Sequence, residues 1–145
     1  MTGPVLFLTV TLILRNASAV DETGGSLLLV SLTGFEELEG IARIAVFDSA
    51  EHWPEGIEFA VRRVSAPVTG DTVIIAVRNL EPGDYSFAAF HDRDSDSVFD
   101  RGLFGIPSEI YGFSNGARGS TGPPDYSDAV FSMSQDTLTM EVRLE

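Results

Sequence analysis

The sequence predicts an all-β fold, a single antiparallel β-sandwich of about seven strands with one long ordered loop. Three observations carry that reading. Apolar runs are short and bounded by turn residues, as at 26–33 (SLLLVSLT), 41–47 (IARIAVF) and 71–79. Period-two alternation is clean near the end of the chain: Leu138, Met140, Val142 and Leu144 share one face, and Thr139, Glu141 and Arg143 the other. No stretch has the three-to-four spacing of an amphipathic helix. The 145 residues, 43% hydrophobic and 21% charged, suit one domain with one core.

Residues 1–19 have the pattern of an export signal. The apolar run 5–14 (VLFLTVTLIL) is too short to cross a bilayer comfortably. Ala17-Ser18-Ala19 then offers the small residues that a signal peptidase cleaves after. Lys and Arg are absent ahead of the apolar run, and the alternative is an uncleaved buried strand. Cleavage after Ala19 would leave residues 20–145 as a single domain, periplasmic or secreted. No second apolar run reaches membrane length.

The strand at 26–33 leads through Gly34 and a glutamate-rich turn to the strand at 41–47. Residues 48–56 form a loop, since Pro54 keeps Trp53 out of a helix. Residues 58–68 fit a strand or a short helix. In 71–79, Val73, Ile75 and Val77 face one side. Pro82-Gly83 marks a turn in which glycine would take positive φ. From Tyr85 the chain enters a strand apolar on both faces, as a central strand is. Residues 129–134 and 136–144 have the pattern of a hairpin. Residues 109–128 (EIYGFSNGARGSTGPPDYSD) lack any periodicity. Their aromatics favour an ordered loop packed on the sandwich.

Charge excludes several functions. The net charge is −13, and all nine basic residues are arginine. Such a chain repels phosphate backbones, which argues against nucleic-acid binding. Without lysine there is no Schiff-base chemistry. Without cysteine there is no disulfide, thiolate catalysis or sulfur-ligated zinc.

The densest chemistry lies at 91–101 (HDRDSDSVFDR). Asp92, Asp94 and Asp96 fall at positions 1, 3 and 5 of a calcium loop, Val98 at the backbone-carbonyl position 7, and Asp100 at position 9. That spacing turns alternate oxygens inward, toward a hard cation that takes six to eight of them. The pattern is incomplete. Ser97 stands where glycine is usual and Leu103 where a bidentate glutamate is usual, although Glu109 could supply a later carboxylate. Two carboxylates ~5 Å apart repel by roughly 3 kcal/mol at an effective dielectric of 20. Converging aspartates with only Arg93 and Arg101 nearby therefore call for a calcium ion, or else splay into solvent.

No catalytic constellation stands out. His52 and His91 are too few for zinc catalysis without another strong ligand. Gly112-Phe113-Ser114-Asn115-Gly116 matches G-x-S-x-G, but the flanks lack the strand-to-helix setting of a nucleophile elbow. Ser114 and Asn115 suit turn hydrogen bonds instead. Trp53, Tyr111 and Tyr126 could form a sugar-stacking platform or simply anchor core and loops.

Between residues 80 and 131 the chain resembles a bacterial exported family catalogued as domain of unknown function 2141. LEPGDYSFAAFHDRDSDSVFD, GLFGIPSEIYGFSNGARG and GPPDYSDAVF carry the resemblance, in the right order and spacing. The family's acidic loop resembles D-x-N-x-N-x-x-x-D, so Asp94 and Asp96 make this copy more acidic. The resemblance implies a transthyretin-like or immunoglobulin-like sandwich, with the GFSN and GPP pieces in one shared long loop. It implies no enzymatic activity. The expected protein is thus a calcium-stabilised binding or structural module with a protein or glycan partner. The alternative is a carbohydrate- or peptide-binding module whose acidic loop is merely solvated.

Overall fold

A computed structural model of the chain describes residues 25–98 and 109–145. The expected signal at 1–19 and the candidate ligand Asp100 lie outside the described residues. The strands are β1 (Leu27–Thr33), β2 (Ile41–Phe47), β3 (Arg62–Pro67), β4 (Val73–Arg78), β5 (Gly83–Asp92), β6 (Tyr111–Phe113), β7 (Phe131–Met133) and β8 (Thr137–Arg143). The fold is all-β, with eight strands in two sheets among the described residues. One sheet runs β4-β1-β8, and the other runs β3-β2-β5-β6 with β7 also paired to β5. Among the described residues, helix is confined to short turns such as Ile57–Phe59 and Tyr126–Ala129.

Each sheet turns one face to a common core. Leu28, Val30 and Leu32 of β1 meet Val73, Ile75 and Val77 of β4, Ile44 and Val46 of β2, and Phe87 of β5. The predicted inward residues of β4 are those buried. At β5 the core face is Tyr85, Phe87 and Ala89, and β5 is central, between β2 and β6. Its opposite face is also largely covered, which accounts for the apolar run on both sides.

Four details depart from the sequence reading. Among the described residues the count is eight strands, against the expected seven or so, because the long loop divides what would be one edge strand. Extending the β6 register would set Gly116 opposite Tyr85, yet Phe131 stands there, fifteen residues later. Secondly, residues 129–144 do not form a hairpin. β7 pairs with β5, whereas β8 joins the other sheet in parallel with β1. Alternation reports which face a residue occupies and not which strand lies beside it. Thirdly, residues 58–68 divide, ending a helical turn at Phe59 before β3 begins at Arg62. Lastly, Gly83 opens a strand without positive φ, and Asn79 at φ 61° is the left-handed residue ahead of β5. The hydroxyl of Tyr85 closes that corner by donating to the Glu81 carbonyl at 2.6 Å.

The long loop is ordered where it is described. Trp53 stands at the centre of its packing, with ring centroids 5.5 Å from Phe47, 5.5 Å from Phe113 and 5.8 Å from Tyr126. Its indole N–H donates to the Pro124 carbonyl at 2.8 Å. Trp53, Tyr111 and Tyr126 therefore anchor the loop by edge and tilted contacts instead of lying open as a flat platform. Paired backbone bonds between Tyr111 and Glu145, at 3.1 and 3.0 Å, link β6 to the residues following β8.

Candidate metal centre

Asp92 ends β5 and is fully buried. Its carboxylate organises the turn that follows. Oδ2 accepts the Arg43 Nε–H at 2.6 Å and the Ser97 amide at 2.9 Å, while Oδ1 accepts the Asp96 amide at 3.2 Å. Asp94 Oδ1 also accepts the Asp96 amide, at 3.3 Å, and Asp96 Oδ1 accepts the Val98 amide at 2.8 Å. Short aspartate side chains thus take the place of ladder partners and coil the backbone around themselves. Ser95 and Ser97 adopt left-handed φ values of 58° and 67°. Serine fills the usual glycine position at a conformational cost of roughly 1–2 kcal/mol.

The coil draws together carboxylate oxygens of Asp92, Asp94 and Asp96, all within 4.8 Å of one another. Asp94 and Asp96 are exposed, so the cluster opens to solvent on one side. Val98 is placed by its amide bond to Asp96, and its side chain faces solvent. Among the described residues, this is the group of three or more candidate ligands that could hold a metal ion.

Burial pushes the Asp92 carboxyl toward its neutral form. Hydrogen bonds from Arg43 and the Ser97 amide, together with the Arg43 charge, outweigh that effect and hold its pKa below the usual carboxylate value. The sequence reading assigned neutralisation to Arg93 and Arg101 and missed Arg43. Ile41 lies opposite Asp92 and Arg43 opposite Phe90, so Arg43 and Asp92 are diagonal neighbours across the sheet. That proximity becomes readable only once the β2–β5 register is known.

The surroundings are acidic as well. The turn before β2 carries Glu37 and Glu39, which with Arg93, Asp94 and Glu109 line a recess of about 310 Å³ beside the loop. A hydrogen bond with Glu37 and the repulsion of its charge raise the Glu39 pKa. Glu109 is buried, and its Oε1 accepts the Arg93 amide at 3.2 Å. Gly40 lets this turn lie against the loop: at φ 73°, a Cβ there would sit 2.4 Å from the Asp92 carbonyl oxygen.

Neither histidine joins the carboxylates. His91 is buried, donates from Nε2 to the Glu39 carbonyl at 2.6 Å, and meets the edge of Phe35. His52 stacks on Phe59 with centroids 3.8 Å apart. Ser114 is buried in the breach between β6 and β7. Its Oγ accepts the Phe87 amide at 3.0 Å and donates to the Ala129 carbonyl at 2.6 Å. Asn115, at φ 61°, donates from Nδ2 to the Val130 carbonyl at 2.8 Å. The G-x-S-x-G stretch is therefore the fastening of the long loop, and its bonds reach across the fold as well as along the turn.

No curated protein and no solved structure matches the chain. A family model does match, and it takes in the strands ahead of residue 80 as well as the motifs after it. Over residues 30–141 the chain belongs to the family described as "Uncharacterized protein conserved in bacteria (DUF2141)".

Proposed function

We propose that the protein is an exported binding or structural module in which the loop 92–100 holds a calcium ion. The observation that carries this reading is the convergence of Asp92, Asp94 and Asp96 oxygens within 4.8 Å, on a loop already coiled by its own amides. Asp100 would add a fourth carboxylate and Val98 a backbone carbonyl. An all-oxygen set of this kind suits a hard cation better than zinc or copper. Because the ligand set is imperfect, affinity belongs in the range of extracellular modules, ~10⁻⁴ to 10⁻³ M.

The sandwich is proposed to be of the immunoglobulin-like or transthyretin-like type. Two features support that. Tyr85 bonds back to Glu81, as a tyrosine corner does at the start of the sixth strand of such domains. The order β3-β2-β5-β6 also follows the sheet containing that strand, while β4-β1 follows its partner. Export rests on the pattern of residues 1–19, and sequencing the recovered protein from Val20 onward would support it.

The direct test is thermal melting of the protein in millimolar calcium and in chelator. The expected result is a calcium-dependent rise in Tm that Asp92→Asn and Asp96→Asn both remove. Superimposable melts would sink the calcium reading. A second reading draws on Arg43, whose bond to Asp92 offsets part of the repulsion without any ion. In that case the loop closes on its own, and the molecule is a carbohydrate- or peptide-binding module with a solvated acidic turn.

A further inference from the structure

The face of the five-stranded sheet turned away from the core carries a second candidate site, which adjoins the carboxylate turn through Arg43 and Ser97. Its composition follows from the strand registers. Arg63, Ala45, Ala88 and Phe113 form one row across β3, β2, β5 and β6, and Ser65, Arg43, Phe90 and Tyr111 form the next. Central strands usually carry branched or aromatic side chains on a covered face. Here two alanines lie directly opposite each other at the middle of the sheet. The volume they leave is a recess of about 300 Å³, lined also by the apolar Phe90 and Ile57, by Arg63 and Arg43, and by Ser97 of the acidic turn. That volume is at the lower end of small-ligand pockets.

The two arginines differ. Arg43 commits Nε to Asp92, and Arg63 is exposed with no hydrogen bond or ion pair to any of the described residues. A guanidinium at the edge of an apolar recess fits a carboxylate, which it can grip through two parallel N–H bonds. A bare phosphate would find no cradle of backbone amides there. The geometry points to a small monocarboxylate with an apolar body, its carboxylate on Arg63 and its body on Ala45 and Ala88 against Phe90. The competing role for Arg63 is to guard the open edge of β3 against pairing with another chain.

The test is calorimetric titration of the protein with 3-phenylpropionate, with chelator present so that no bound calcium contributes to the signal. The uncharged 3-phenylpropanamide and inorganic phosphate are the comparisons. Expected is saturable binding of the carboxylate, with both comparisons weaker by about tenfold or more, as loss of a charge-assisted pair implies. Arg63→Gln alters only an exposed side chain and should weaken binding by a similar factor. Ala88→Leu should fill the recess and abolish it. The proposal is overturned if the carboxylate does not bind or if Arg63→Gln binds it as tightly as the parent. Equal binding of the amide or of phosphate would also overturn it, since the site would then not read a carboxylate with an apolar tail.

Discussion

Two excursions adjoin β5, and opposite chemistry closes them. The insertion between β6 and β7 is held by neutral groups: Ser114 bridging Phe87 and Ala129, Asn115 on Val130, and Trp53 on Pro124 amid a set of aromatic edges. The turn after β5 is held by charge, with Asp92 gathering Arg43 and two backbone amides while Asp94 and Asp96 crowd beside it. Neutral bonds and ring contacts persist at any ordinary pH and salt concentration. Carboxylates accept hydrogen bonds best while ionised, and their mutual repulsion is what the proposed calcium ion would relieve.

The largest effect expected from breaking this contrast is at Trp53. Replacing it with alanine removes the ring that Phe47, Phe113 and Tyr126 share. Urea denaturation should show a loss of about 3 kcal/mol, the lower part of the range for large aromatics because Trp53 is only half-buried. The loss should be the same in calcium and in chelator. Asp92→Ala comes next, at about 2 kcal/mol, because Arg43 and the Ser97 amide lose their acceptor. The partial exposure of Arg43 keeps the figure below that of a fully buried pair.

Asp92 also fixes a pH dependence. Its folded-state pKa is depressed, so the stabilisation is fully present above the ordinary value of 3.8 and is lost as pH falls through the lower folded value. Melting temperature should therefore fall as pH drops below about 4, and Asp92→Asn should flatten that part of the curve. On the neutral side of the comparison, Ser114→Ala orphans the buried Phe87 amide and the Ala129 carbonyl, at a cost of about 1–2 kcal/mol. That loss should not vary between pH 4 and pH 7.

The contrast was partly legible in the sequence. Apolar alternation set the faces of β4, β5 and β8, since burial on one face imposes period two whatever the partner strand. The acidic loop was legible because its carboxylates are close in sequence. Arg43 was not, because it reaches Asp92 from forty-nine residues away through a strand register that composition does not encode. The parallel placement of β8 beside β1 escaped for the same reason. Gly83 misled because Pro-Gly suggests a positive φ, whereas Asn79 had already turned the chain. Ser114 was visible as a turn residue, but not as the group that completes an interrupted sheet edge.

The smallest expected effect separates the two excursions most sharply. Asp96→Asn keeps an oxygen that can still accept the Val98 amide, so the local turn survives the change. It removes one of the crowded charges on an exposed side chain, and in chelator the stability should shift by less than ~0.5 kcal/mol. In calcium the parent should gain about 1.4 kcal/mol at a tenfold excess over Kd, and the variant should lose most of that gain. A difference that appears only when the ion is present cannot arise from the hydrogen bond, which both proteins make. Trp53→Ala, with the same deficit in either buffer, is the control that ties the ion response to the charged turn alone.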